Sequence, residues 1–327
     1  LPRLVHWKTN GSPAGRRALQ AAAPSKRSRC EYESFAESLG LLRRRTRLKL
    51  GIVGAGAIGT LFAATLAPHA ETVVLVRDEA TRVAIARRAD LAPDPETVAL
   101  SRATSEPFDL AGVDFVLVAV KAFATVDALA RLRDTLGAET PVVSLQNGIL
   151  QVEQIEAALG TRPIALAPTT EGGTLVAPGA MRRIGRGMTT LGWARGHAGG
   201  DLRPLRDLLV ASGLHARIVE PVEPHVWAKL IANAAINALT ATAGVPNGAV
   251  SSDPELCRRA AAIAREAAAV AAAEGVELPF DDAVAHVYGV AAATAENRSS
   301  MLQDLERGRP TELEAINGAL SRLGRLR

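Results

Sequence analysis

Leu48-Lys49-Leu50-Gly51-Ile52-Val53-Gly54-Ala55-Gly56-Ala57-Ile58-Gly59 is the stretch that decides the fold of this 327-residue chain. Leu48–Val53 reads as a buried strand, Gly54–Gly59 spells G-x-G-x-x-G, and Ile58–Leu66 continues with helical spacing. A glycine turn between a strand and a helix is built to hold a dinucleotide. Gly54 permits the tight turn, Gly56 lets a pyrophosphate approach the backbone, and Gly59 lets helix and strand touch. The helix start adds free N–H groups and the positive end of its dipole. Gly54, Ala55, Gly56, Ala57, Ile58 and Gly59 are therefore the candidate cofactor-binding turn.

Outward from this turn the strand–helix alternation continues. Thr72–Val76, Val113–Val118 and Val142–Leu145 are short apolar runs, and Thr125–Leu136 and Val152–Leu159 carry helical patterns between and after them. Such alternation implies βαβ units and a parallel sheet. Ile164–Trp193, with its glycines and prolines, reads as antiparallel strands closing one side. Beyond about Glu220 the strands stop, and Pro224–Thr242, Asp253–Glu274, Asp281–Glu296 and Glu312–Leu323 read as helices, Asp253-Pro254 being an N-cap followed by proline at the first helical position. The fold class is α/β: an N-terminal Rossmann-type parallel-sheet domain (48–220) followed by an all-α C-terminal domain (221–327).

Charge separates a third segment. Residues 1–47 hold eleven Lys/Arg against three acids, a balance of +8, so the remainder carries −4 although the whole chain is +4. The basic pI belongs to this extension, read as unstructured, and an acidic body does not suit nucleic acid. Cys30 and Cys257 fit neither a metal-ligand spacing nor a disulfide framework, which points to a cytoplasmic setting. No apolar run reaches bilayer length, and no His/Asp/Glu cluster has metal-ligand spacing, so neither a membrane nor a metal is expected.

The end of the second strand bears on the choice of dinucleotide. Arg77 follows Val73–Val76 and suits a 2′-phosphate, favouring NADP(H), while Asp78 beside it leaves NAD open. Lys121 and Asn147 stand at the carboxyl ends of later strands, where open α/β sheets bind ligands. In the helix from Pro224, Lys229, Asn233 and Asn237 are spaced four apart and form one polar stripe on an otherwise apolar helix. A lysine so placed loses water, its pKa falls, and it can give up a proton near neutral pH.

These residues also carry a family resemblance. Trp227-Ala228-Lys229-Leu230 with Asn233 and Asn237, then Pro246-Asn247-Gly248, Glu296-Asn297-Arg298-Ser299-Ser300-Met301-Leu302-Gln303-Asp304 and Thr311-Glu312-Leu313-Glu314-Ala315-Ile316-Asn317-Gly318 resemble the ketopantoate reductase family, in family order. The resemblance implies NADPH-dependent reduction of 2-dehydropantoate to pantoate, on the route to pantothenate and coenzyme A. It makes Lys229 the general acid and gives Glu312 the hydroxyl end of the substrate. Asn233, Asn237, Asn247, Asn297 and Ser300 hold its polar groups, and Lys121 and Asn147 face the nicotinamide. Residue by residue, Glu312 also reads as a helix-start acid beside a Thr311-x-x-Glu314 capping box.

The chain departs from the family at Ala124, where a polar residue is common, and at Ala167-Pro168-Thr169-Thr170, where a glycine is common. Its end at Arg327 reads as C-terminally shortened, since a further turn and a closing helix are expected after Asn317-Gly318. The rival readings are a paralogue acting on another 2-oxo acid, a β-hydroxyacid dehydrogenase, and a non-catalytic NADPH-binding protein. The partner is a small-molecule 2-oxo acid, and a helical second domain could also pair with a copy of itself as a homo-oligomer.

Overall fold

Lys49–Val53 forms the first strand, β1, and four of its five residues are buried, as a strand covered on both faces requires. The computed structural model describes residues 47–87, 96–100 and 102–326, which belong to one compact unit from Arg47 onward. The extension expected over residues 1–47 lies, Arg47 apart, outside the described residues, as does Cys30.

From β1 the chain runs through α1 (Ala57–Leu66), β2 (Glu71–Leu75), α2 (Glu79–Ala86), β3 (Thr97–Ala99), β4 (Phe115–Val118) and α3 (Thr125–Ala130). It continues with β5 (Val142–Ser144), α4 (Gln151–Leu159), β6 (Ile164–Leu166), β7 (Gly172–Ala177), β8 (Ala180–Gly185), β9 (Met188–Trp193), α5 (Arg203–Ala211) and β10 (His215–Ile218). The main sheet has the order β10-β9-β6-β5-β4-β1-β2. Its strands β1, β2, β4, β5 and β6 are parallel, with Gly51 opposite both Val73 and Val116. After β2 the chain crosses β1 and adds β4 on its other side, so the strand order reverses at β1 and leaves a crevice at the carboxyl ends of β1 and β4.

The stretch expected to be antiparallel divides three ways. Ile164–Leu166, wholly buried, is the fifth parallel strand; β7 and β8 form a hairpin in a separate sheet with β3; β9 returns antiparallel to β6. The helical pattern expected over Thr125–Leu136 stops at Ala130, where tighter bonds such as Leu132 N–H to Leu129 O (2.8 Å) take over.

The C-terminal portion is helical: α6 (Glu223–Ala243), α7 (Ala249–Ser252), α8 (Pro254–Ala273), α9 (Ala283–Ala293), α10 (Ser300–Glu306), a π turn over Glu314–Gly318, and α11 (Ala319–Leu326). Asp253 caps α8, accepting from the backbone N–H of Glu255 and of Leu256, each at 2.9 Å. Trp227, Leu230, Ile231, Ala234 and Ala235 of α6 share one buried core with Ala260, Ala264, Ala267 and Ala271 of α8. The alanines bring the helices close and leave α6 sheathed in protein over most of its length. Among the described residues, no helix is long and apolar enough to cross a membrane.

Candidate active site

The glycine turn closes on itself as the motif requires. Gly54 has φ +106°, and a side chain there would meet Val120 Cγ1 at 2.7 Å. A Cβ at Gly59 would lie 2.0 Å from Gly54 O, so only glycine lets α1 start against β1. At Gly56 the nearest atom to a Cβ is Ala119 O at 3.8 Å; its side faces open space, a cradle that a side chain would fill. Gly56 is the N-cap of α1 and offers no capping side chain, which leaves the N–H groups of the first turn for a ligand. The turn thus fits a dinucleotide pyrophosphate.

A cleft of ≈ 940 Å³ runs from this turn to α6 and α10. It is lined by Gly54, Ala55, Gly56, Ala57, Ile58, Arg77, Lys121, Asn147, Lys229, Asn233, Asn237, Asn247, Asn297, Ser300 and Glu312. Of the candidate residues only Gly59 is absent from the lining, being used in helix–strand contact.

Asp78 caps α2: its Oδ1 accepts from the Thr81 hydroxyl (2.7 Å) and N–H (2.8 Å), and its Oδ2 from Arg77 Nε (2.9 Å). The two Thr81 bonds, then Arg77, lower its pKa to about 2. Arg77 lines the cleft, whereas Asp78 is not among its lining residues. Arg131, which the sequence did not single out, shares this corner. Its guanidinium donates to Val76 O (3.1 Å), Arg77 O (3.0 Å) and Ser105 O (2.5 Å) while lining the cleft.

At the other end, α6 presents Lys229, Asn233 and Asn237 to the cleft while Val226, Trp227, Leu230, Ile231, Ala234, Ala235 and Ile236 are buried around them. Lys229 is half-buried by exposure, but its ammonium lies deep among protein atoms. This desolvation lowers its pKa to about 8, against a smaller upward pull from Glu312.

Glu312, buried to 5% exposure, knits the two sides of the cleft together. Its Oε1 accepts from Ala122 N–H (3.0 Å), and its Oε2 from Asn147 Nδ2 (3.1 Å) and Lys121 Nζ (3.5 Å). Asn147 Oδ1 faces Asn233 Nδ2 at 3.5 Å. Lys121 is held more closely by Asp304 Oδ2, at 2.6 Å, a contact to which sequence reading gave no role. The π turn begins two residues after Glu312, a distortion common at functional sites. Gly148 (φ +96°) admits it, since a Cβ there would lie 2.7 Å from Ala315 O. The alternative capping box is not made: Thr311 Oγ1 accepts from Leu313 N–H (3.4 Å), and Glu314 pairs with Arg322 (3.2 Å).

The remaining candidates form one wall. Asn247 Nδ2 donates to Thr294 Oγ1 (3.0 Å), and Asn297 O accepts from Asn247 N–H (2.9 Å). Ser300 is exposed at the start of α10, whereas its neighbour Ser299 is the buried cap of that helix and accepts from Thr240 Oγ1 (2.8 Å).

A dinucleotide cradle and a desolvated lysine facing one cleft define a dinucleotide-dependent oxidoreductase. The profile of the family described as "Ketopantoate reductase PanE/ApbA" matches residues 50–196, and that of its "C terminal" part matches residues 222–327. A 2-dehydropantoate 2-reductase of Archaeoglobus fulgidus is 36% identical over 276 residues, covering 84% of this chain and 90% of that protein. The Pyrococcus horikoshii one is 32% identical over 279 residues, 85% and 91% of the two chains. Among solved structures, a PanE/ApbA family ketopantoate reductase from Ralstonia eutropha JMP134 superimposes with TM-score 0.75 at 29% identity, covering 85% of this chain and 92% of that one. A D-mandelate dehydrogenase in complex with NADH gives TM-score 0.74 at 26% identity, with coverage of 85% and 92%. The chain belongs to the ketopantoate reductase family.

Proposed function

We propose that this chain reduces 2-dehydropantoate to (R)-pantoate with NADPH, in the cytoplasm, on the route to pantothenate and coenzyme A. The observation that carries this reading is Lys229, desolvated and on one polar stripe with Asn233 and Asn237, in the same cleft as the Gly54–Gly59 turn. Residues 48–220 bind the dinucleotide and residues 221–327 bind substrate and donate the proton.

When bound, the dinucleotide supplies a hydride. Gly54, Ala55, Gly56, Ala57 and Ile58 would hold its pyrophosphate, Arg77 and Arg131 would hold its 2′-phosphate, and Lys121 and Asn147 would hold its nicotinamide end, all of them lining the one cleft. The residues of α6 do the rest. Reduction of a 2-oxo carbon places negative charge on its oxygen, and the Lys229 ammonium stabilises that oxygen and gives it a proton. Glu312, an acceptor only, orients the donors around the substrate hydroxyl and supports the charged form of Lys229. Asn233, Asn237, Asn247, Asn297 and Ser300 hold the carboxylate and hydroxyl.

That polar wall favours a hydroxylated 2-oxo acid. A phenyl ring against the Asn237 amide and the Asn247 Oδ1 would leave buried polar atoms without partners. The likeness to D-mandelate dehydrogenase supports a second reading, an aromatic 2-oxo acid as substrate. NADPH oxidation measured side by side with 2-dehydropantoate and phenylglyoxylate separates the two. Faster turnover of 2-dehydropantoate is expected, and preference for phenylglyoxylate would replace the first reading by the second.

The 2′-phosphate assignment has its own test. A guanidinium has five N–H donors, and Arg131 spends three on carbonyls, which leave its charge unneutralised. Arg131→Gln is expected to weaken binding of 2′,5′-ADP about 10- to 50-fold in calorimetry, as loss of a charged hydrogen bond does. Affinity for 5′-AMP should stay unchanged. Equal weakening of both nucleotides would mean that Arg131 only holds the end of β2.

A further inference from the structure

We propose that Asp304 is a positioning residue for the catalytic lysine, acting through Lys121 and Glu312 from across the cleft. The proposal rests on Lys229 as the proton donor.

One ammonium stands between two shielded carboxylates. Lys121 Nζ lies 2.6 Å from Asp304 Oδ2 and 3.5 Å from Glu312 Oε2; the side chains of Asp304 and Glu312 are 10% and 5% exposed. Lys121 follows β4, whereas both acids come from the C-terminal portion. The place of Asp304 is fixed without any ligand, because its helix is capped by Ser299 and Ser299 is tied to Thr240 of α6. Glu312 is fixed separately by Ala122 N–H and Asn147 Nδ2.

The consequence is electrostatic. A cation close to Glu312 weakens the field that Glu312 exerts on Lys229. Asp304 draws Lys121 to itself, so Glu312 keeps more of its negative field for Lys229, favouring the protonated form that reduction needs. The other titratable groups lining the cleft are Arg77, Asp127, Arg131, Glu171, Arg217, Arg298, His225, one turn before Lys229 on α6, and His286 of α9, whose ring hydrogen-bonds Ala228 O at 3.2 Å. None of them touches Lys121, Asp304 or Glu312 through a hydrogen bond among the described residues.

Neutralising Asp304 and removing the Lys121 charge therefore act in opposite directions. In Asp304→Asn, Lys121 turns wholly to Glu312 and Lys229 loses its proton at lower pH. In Lys121→Met, both carboxylates stand bare and Lys229 keeps its proton to higher pH.

The test is competitive labelling with trace acetic anhydride across a pH series, acetylation at Lys229 being read by peptide mass spectrometry in the full chain. The midpoint is expected to fall by about half a pH unit in Asp304→Asn and to rise by about as much in Lys121→Met. Mere loosening of the cleft would hydrate Lys229 and raise the midpoint in both variants, so the fall in Asp304→Asn is the discriminating result. An unchanged or raised midpoint in Asp304→Asn overturns the proposal. Labelling requires no turnover, so absence of reductase activity in the unsubstituted protein would count against the catalytic reading alone.

Discussion

Lys229→Ala lowers kcat for reduction of the 2-oxo acid by about 10²- to 10⁴-fold, the span typical of removing a general acid. This corresponds to about 3 to 5 kcal/mol of transition-state stabilisation. NADPH affinity should hold within about twofold, since the Gly54–Gly59 turn and the Arg77 corner lie on the sheet portion and not on α6. Stopped-flow turnover and NADPH fluorescence titration measure the two quantities on one preparation. An equal loss of binding and turnover would move Lys229 from chemistry to architecture. An external primary amine should restore part of the rate in the alanine variant, because the truncation opens a space where the side chain stood. The burial that lowers the lysine pKa also keeps bulk water from substituting freely for it.

Glu312→Gln has the second largest effect, an expected fall in kcat/KM of about 10- to 100-fold. The substitution removes a charge whose oxygens receive Ala122 N–H, Asn147 Nδ2 and Lys121 Nζ, so at least one of these donors is left facing an amide N–H₂. The sign of its pH effect follows from electrostatics. Glu312 raises the pKa of Lys229 against burial, so without its charge that pKa moves below about 8. Reduction uses the protonated lysine, and the alkaline loss of activity then begins at lower pH in the variant. A limb that moved to higher pH would show that Glu312 does not support the ammonium.

Much of this was written locally in the chain. The strand, glycine turn and helix around Gly54–Gly59 are specified within some twenty residues, and each glycine has a separate steric reason. The stripe Lys229–Asn233–Asn237 was legible because helical geometry alone puts residues four apart on one face, and α6 does bury its neighbours and turn the stripe to the cleft. Helix α5 was assigned no element from the sequence, although Leu205, Leu208 and Leu209 after Pro204 mark its buried face. By contrast, β3 has three residues and β10 four, mostly exposed, too little for a period of two to register.

What the chain did not disclose is pairing at a distance. Arg131 stands one turn after Asp127 on a helical pattern with no motif, and its value comes from carbonyls 54 and 55 positions away that only the folded sheet presents. Asp304 lay within a recognised run of residues, but its partner Lys121 is 183 positions away. Ser299 and Ser300 are adjacent and indistinguishable in sequence; the fold buries the first as a helix cap and turns the second to the cleft.

The most direct test of the central claim is the pH dependence of kcat/KM for reduction of 2-dehydropantoate with NADPH, from about pH 6 to about pH 10. Lys229 as proton donor predicts a plateau at low pH and a tenfold fall per pH unit above a midpoint at about 8. In Lys229→Ala that limb should vanish along with most of the rate. Absence of turnover in the unsubstituted protein, or a limb that persists unchanged in the alanine variant, would contradict the account.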